Sequence, residues 1–258
     1  MTNELIAHAR MALACLDLTS LNDGDTEADI AALCAKAQTS FGPVAAVCVW
    51  PRLAAFARAQ LPPNIRVAAV ANFPVGSADV ARAVADTRAI VDAGAQEVDV
   101  VLPYTELLQG NVVGVEMLLQ AVRKACDGLT LKVILETGAL VTDEQIALAS
   151  QISLDAGADF LKTSTGKIPV SATPAAATQM LQAITQNATT KARTGFKPSG
   201  GIRTVADAVV YMQLQQQHLG AQALNPQRFR IGASGILGDI TAILSDQAPT
   251  LGNTASGY

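Results

Sequence analysis

The chain has 258 residues, 50% of them apolar and 16% charged, a composition that excludes a disordered or fibrous protein. Its 18 Lys and Arg against 22 Asp and Glu leave a net charge of −4 with no block of like charges, so no nucleic-acid partner is expected. Apolar runs such as Pro43 to Trp50 fall short of the ~20 residues a membrane span needs, and Glu4, His8 and Arg10 interrupt the N-terminus where a signal peptide is apolar; a cytoplasmic protein without a membrane partner is expected.

In chain order, eight runs rich in Val, Ile, Leu and Phe read as strands: Cys15 to Thr19, Val44 to Trp50, Arg66 to Ala71, Glu97 to Leu102, Leu131 to Glu136, Asp159 to Ser164, Thr194 to Lys197, and Phe229 to Ala233. Their starts lie 22 to 35 residues apart, close to the ~30 residues of a strand, a crossover helix and two loops. Most runs are almost continuously apolar, as in a parallel sheet covered on both faces. The stretches between them have helix ends. Ser77 is the expected N-cap of a helix that carries Val80, Val84, Thr87, Ile90 and Val91 on one face and closes at Gly94. Thr142 has capping-box spacing to Gln145 in a helix closed by Gly157, Thr173 precedes Pro174 at a first helical position, and Thr204 starts the next helix. The pattern predicts an α/β fold, a (β/α)8 TIM barrel in one domain over 1–245, with a loose tail over 246–258.

Cys15, Cys34, Cys48 and Cys126 show no C-x-x-C pairing and read as reduced thiols. With only His8 and His218, a zinc site or a Ser-His-Asp triad has almost nothing to be built from, so no metal and no cofactor are expected. Chemistry then rests on Lys, Asp, Glu or Tyr.

A weak internal echo places two of these. Asp92-Ala93-Gly94-Ala95 recurs as Asp155-Ala156-Gly157-Ala158, an offset of 63 residues, and in that register Asp99 superposes on Lys162. Their strands are the fourth and the sixth, and alternate strands supply one interior layer of an eight-stranded barrel. Lys132 begins the fifth strand, Lys162 and Lys167 bracket the end of the sixth, and Lys197 ends the seventh. An ammonium buried in a strand is costly unless it is paired or neutral. Converging lysines repel, which pushes a lysine pKa down from about 10.4, and a neutral amine forms a Schiff base with a carbonyl. The competing reading is a buried Lys-Asp pair that only fixes packing. Residue chemistry by itself does not choose between Lys162 and Lys197. Asp99 and Asp17, each flanked by apolar residues, supply a matching acid and base; the competing reading of both is a paired structural charge, which fits Asp17 better than Asp99, and Cys48 reads first as a small buried hydrophobe.

Three glycine-bearing turns after the sixth, seventh and eighth runs suggest a phosphate cradle: Thr165-Gly166-Lys167, Ser199-Gly200-Gly201-Ile202-Arg203, and Gly232-Ala233-Ser234-Gly235. Glycines let backbone N–H groups approach an anion, and each turn is expected to precede a helix N-terminus. None matches a nucleotide-binding loop.

At these residues the sequence resembles the deoxyribose-phosphate aldolase family, class I aldolases with a (β/α)8 barrel. The likeness covers nearly the whole chain and is carried by Asp17-Leu18-Thr19, Cys48-Val49-Trp50-Pro51, Glu97-Val98-Asp99-Val100-Val101, Lys132-Val133-Ile134-Leu135-Glu136-Thr137-Gly138, Phe160-Leu161-Lys162-Thr163-Ser164-Thr165-Gly166-Lys167 and Gly195-Phe196-Lys197-Pro198-Ser199-Gly200-Gly201. It implies reversible cleavage of 2-deoxy-D-ribose 5-phosphate to D-glyceraldehyde 3-phosphate and acetaldehyde without metal. It gives Lys162 the Schiff-base role, Lys197 that of the second lysine and Asp99 that of the proton-transfer carboxylate, with Asp17, Thr19, Cys48 and Lys132 in support. The expected bond broken is C3–C4, and the expected phosphate ligands are Gly166, Lys167, Gly200, Gly201, Arg203, Gly232 and Ser234. Gly235 departs from the family, which usually carries a second serine there. Similar enzymes end in a tail with a terminal tyrosine, so Tyr258 is expected to relay a proton to the enamine carbon. The rival readings are another Schiff-base lyase or transaldolase on a sugar phosphate, and a catalytically silent sugar-phosphate sensor. A homodimer is expected from the family and the commonness of two-fold dimers.

Overall fold

The computed structural model describes residues 2–245; the expected tail and Tyr258 lie outside the described residues. Eight parallel strands form the sheet: β1 (Leu16–Thr19), β2 (Ala46–Val49), β3 (Arg66–Ala71), β4 (Glu97–Val101), β5 (Thr130–Ile134), β6 (Phe160–Lys162), β7 (Gly195–Lys197) and β8 (Ile231–Ala233). Each pairs with its sequence neighbour, and β8 returns to pair with β1, Asp17 opposite Gly232. Between β7 and β8 the ladder reduces to isolated bridges, Phe196 to Phe229 and Ser199 to Gly232. The ring is the predicted (β/α)8 barrel, with every apolar run of the sequence supplying one strand.

Alternation along each strand sorts the side chains into two compartments. Leu16, Leu18, Val47, Val49, Val98, Val100, Leu131, Val133 and Leu161 face outward and pack under the helices in one large core. Inside the barrel, a small apolar cluster of Leu21, Cys48, Ala68, Val70, Phe73, Val101 and Ile134 occupies one side. The buried charges Asp17, Glu97, Asp99, Lys132, Lys162 and Lys197 occupy the same inward register on their strands, two residues apart where a strand carries two.

One helix start differs from expectation. The helix over Val80–Asp92 is capped by Asp79, which accepts from the Arg82 N–H at 2.9 Å, because Ser77 is already used: its hydroxyl and its N–H both donate to Asn72 Oδ1. Thr142, Thr173 and Thr204 cap where expected, and Gly94 and Gly157 take φ of +72° and +87° just after their helices end. An antiparallel pair, Gln38–Thr39 with Gly42–Pro43, and short helices such as Tyr104–Leu108 and Ala188–Arg193 are too brief to carry a sequence period. The four cysteines are free and buried. No helix among the described residues is long and apolar enough to cross a membrane.

Candidate active site

The inward residues of six strand positions meet in one hydrogen-bonded charge cluster. Asp99 on β4 is its hub: Oδ1 accepts from Lys132 Nζ at 2.8 Å, and Oδ2 accepts from both Lys162 Nζ and Lys197 Nζ at 2.8 Å. Asp17 on β1 accepts from Lys197 at 2.5 Å and Glu97 from Lys132. Arg230, the residue before β8, donates to Asp17 Oδ1 at 2.6 Å and to Glu97 Oε1 at 2.8 Å. The internal echo is therefore borne out in space, since Asp99 and Lys162 face each other across the intervening strand.

Charge pairing, more than repulsion, governs most of these groups. Burial alone would raise the Asp99 carboxyl, but Lys132, Lys162 and Lys197 hold it well below the usual carboxylate range. Against the same cost of burial, Lys197, Arg230 and Lys132 hold Asp17 below its ordinary value, and Lys132 and Arg230 do so for Glu97. Burial would lower Lys197 and Lys132, yet Asp17 and Asp99 raise the first, and Asp99 and Glu97 raise the second. The expectation that converging lysines lower one another is thus corrected for these two, whose carboxylates outweigh the neighbouring cations. Lys162 stands apart in geometry. Asp99 is its only carboxylate within ion-pairing distance among the described residues, and that carboxylate is shared with two other cations. It is also 3% exposed where Lys132 and Lys197 are sealed at 0%.

Cys48 faces the interior, its Sγ 4.0 Å from Asp99 Oδ2, and burial followed by the charge of Asp99 pushes its thiol up, so it stays protonated. Thr19 closes β1 with its hydroxyl donating to the Asp17 carbonyl. Above Lys162, Glu136 sits in the left-handed region at φ +58° and is fully buried; burial raises its carboxyl although the Thr165 hydroxyl and N–H donate to it. This pair ties the end of β5 to the loop after β6.

Glu97 and Arg230 are not among the site residues expected from the sequence. A signal existed: Glu97 lies two residues before Asp99 and Arg230 two before Gly232, so each shares the inward face of its strand, and neither fits an apolar strand without a partner. Two glycines make room for the cluster. A Cβ on Gly195 would come within 2.3 Å of the Phe160 ring, on which the Arg230 guanidinium stacks at 5.7 Å. A Cβ on Gly232 would lie 2.6 Å from Ser199 Cβ and 3.1 Å from Lys197 Cε. Gly232→Ala is expected to displace Lys197 and lower kcat at least tenfold, with KM changed far less; steady-state kinetics on the folded variant check this, and an unchanged kcat refutes it.

The expected phosphate ligands divide. Gly200 at φ +81° packs on Ser171 and the Gly166 backbone, joining the loops after β6 and β7. Gly201, Arg203 and Ser234 are exposed at the same rim, whereas Gly232 is buried with its N–H donated to the Pro198 carbonyl. Lys167 reaches across the mouth, its ammonium donating to the Leu21 carbonyl at 2.8 Å. Each turn precedes a helix as expected, but two of those helices are already capped: Thr173 caps the one after β6, which starts at Pro174, and Thr204 with Asp207 caps the one that follows the β7 turn directly. The helix Ile236–Leu244 begins directly at Ser234-Gly235 with no side-chain cap.

Comparison with known proteins points the same way. The chain matches the model of the DeoC/LacD family aldolases over residues 11–234, and it belongs to that family. It is 47% identical over 253 residues to a deoxyribose-phosphate aldolase of Agrobacterium fabrum, covering 97% of this chain and 96% of that protein. A crystal structure from Toxoplasma gondii ME49 superposes with a TM-score of 0.86 at 23% identity over 94% of this chain and 96% of that one. A tetrameric deoxyribose phosphate aldolase from Aeropyrum pernix superposes with a TM-score of 0.72 at 24% identity, covering 95% and 99%.

Proposed function

We propose that this aldolase cleaves 2-deoxy-D-ribose 5-phosphate reversibly through a Schiff base on Lys162. The observation that carries the choice of lysine is the single, shared carboxylate of Lys162 beside its residual exposure, set against Lys132 and Lys197, which are sealed and multiply paired. The neutral amine attacks C1 of the open-chain sugar, and the carbinolamine loses water to give an iminium. The iminium withdraws the electron pair of the C2–C3 bond as the C3 hydroxyl gives up its proton. This corrects the expected C3–C4 cleavage: acetaldehyde has two carbons, so C1 and C2 leave together. Glyceraldehyde 3-phosphate departs, the enamine takes a proton at C2, and water releases acetaldehyde. Asp99, ionised and 2.8 Å from Lys162 Nζ, is placed to move protons at the amine, with Lys197 on its same oxygen.

Borohydride reduction in the presence of acetaldehyde, followed by peptide mass analysis, tests the nucleophile. Label on Lys162 is expected. Label on Lys197 with Lys162 unmodified reverses the assignment, and no label at all favours the silent sensor.

The uncapped N-terminus of Ile236–Leu244, with Ser234 and Gly235 exposed beside it, supports binding of the 5-phosphate there, helped by Gly201 and Arg203 at the rim. Ser234→Asp puts a negative charge in that cradle. Activity on deoxyribose 5-phosphate should fall about 100-fold or more, and on unphosphorylated deoxyribose far less. Equal losses on both sugars would mean that the loop holds structure only. We read the enzyme as cytoplasmic and as a homodimer; light scattering of the purified protein checks the second point.

A further inference from the structure

Three carboxylates of the cluster, Asp17, Glu97 and Asp99, face four cations, Lys132, Lys162, Lys197 and Arg230. Within these ion pairs charges balance when one cation loses its proton, and a guanidinium does not lose one; Glu136, the other carboxyl near Lys162, is pushed up by burial and bonded to Thr165. Arg230 determines which cation is left over. It takes Oδ1 of Asp17 and spans both oxygens of Glu97, while Lys197 takes the other oxygen of Asp17 and Lys132 shares Oε2 of Glu97. Neither carboxylate reaches Lys162. The guanidinium is itself fixed by the Phe160 ring and by donation of Nε to the Pro226 carbonyl. Glu97, Phe160 and Arg66 are first residues of their strands, so this clamp lies toward the N-terminal mouth of the barrel, where a cavity of about 490 Å³ reaches Arg230 and Glu97.

We propose that Arg230 is a positioning residue for the amine chemistry: by clamping Asp17 and Glu97 at the N-terminal end of the barrel, it leaves Lys162 as the one cation of the cluster without a carboxylate of its own. The inference rests on Lys162 being the imine-forming lysine. The groups that face it are Asp99 and Glu97 from β4, Lys132 and Glu136 from β5 and its end, and Lys197 from β7. Asp17 from β1, Cys48 from β2 and Arg230 before β8 complete the set, and β3 offers the apolar Ala68 and Val70 with Arg66 at the N-terminal mouth, where it lines the cavity beside Glu97 and Arg230.

The sign of the effect follows from charge. Arg230→Met removes a positive charge and favours the protonated amine, so the acid limb of kcat/KM for 2-deoxyribose 5-phosphate should move to higher pH by on the order of one unit, with activity recovering at alkaline pH. Glu97→Gln removes a negative charge and should move the same limb to lower pH. Arg230→Lys keeps the charge and should restore the parental profile. Loss of activity that is equal at every pH, or shifts of one sign in Arg230→Met and Glu97→Gln, overturns the clamp. If Arg230→Met does not fold, Glu97→Gln decides: a limb moved to lower pH supports the proposal and an unmoved limb overturns it. Borohydride trapping with acetaldehyde on the same proteins separates the two claims. Label on Lys162 with unmoved profiles overturns only the clamp, whereas absence of label from Lys162 in the parent overturns the amine assignment and the clamp with it.

Discussion

Lys162→Arg is expected to abolish turnover, with a fall on the order of 10⁵–10⁶-fold, the scale seen when a covalent nucleophile is removed. The reason is chemical. A guanidinium stays protonated throughout the working range, so it keeps the ion pair to Asp99 and forms no imine. The variant is expected to fold, because Asp99 stays within reach of the guanidinium, and a thermal melt checks this. Cleavage of deoxyribose 5-phosphate within tenfold of the parent enzyme would sink the Schiff-base mechanism. Loss of borohydride-trapped acetaldehyde together with loss of turnover is the expected pattern.

Asp99→Asn carries the second large effect, and it falls on stability as well as rate. One buried carboxylate serves three ammonium groups, two of them sealed from solvent, and removing it leaves buried cations short of a counter-charge. Breaking a buried ion pair from one side typically costs about 3–5 kcal/mol. The rate should fall about 10²–10⁴-fold, since the carboxylate that moves protons at the amine is gone. Denaturant melts and kcat together measure the two losses, and an asparagine variant as stable as the parent would contradict the hub role. The pH dependence of the parent follows from the same groups. Asp17, Glu97 and Asp99 lie below their ordinary values, so their contribution is complete above about pH 4–5 and is lost as the pH falls through their folded values. Lys132 and Lys197 lie above theirs, so their contribution is complete below about pH 10 and is lost only at more alkaline pH. Stability should therefore form a broad plateau across neutrality.

The barrel was legible because its signal repeats. Apolar-rich runs such as Ala46–Val49 and Arg66–Ala71 recur at one supersecondary spacing, and the caps at Thr173 and Thr204 need only their own neighbours. Lys162, Lys197 and Asp99 stood out as charges that apolar strands do not tolerate without a reason. What escaped was pairing. Arg230 lies 213 residues from Asp17 and 133 from Glu97, and no local pattern announces that a guanidinium will take up the free oxygens of both. Without that partner set, converging lysines predict mutual repulsion, whereas carboxylates hold Lys132 and Lys197. The phosphate rim was half legible for a similar reason: glycines mark turns, but only the three-dimensional course of the loops separates the uncapped helix at Ser234 from the self-capped one at Thr204.

The ring closes between β7 and β8 through isolated backbone bridges, and the side chains of Asp17, Lys197 and Arg230 cross that same junction. For a chain emerging from the ribosome, this fixes an order of events. Asp17 is made first and its two partners follow 180 and 213 residues later, so the early half-barrel carries acidic groups with an interior to enter and nothing there to neutralise them. Burying Asp17, Glu97 and Asp99 alone is unfavourable, and contacts this distant in sequence come late because chain entropy must be overcome before they form. The N-terminal half is therefore not an independent folding unit. Completion of the barrel and assembly of its chemistry are one cooperative step, and a truncated chain that stops short of Arg230 should be recovered as an aggregate or a protease-sensitive fragment, not as a smaller barrel.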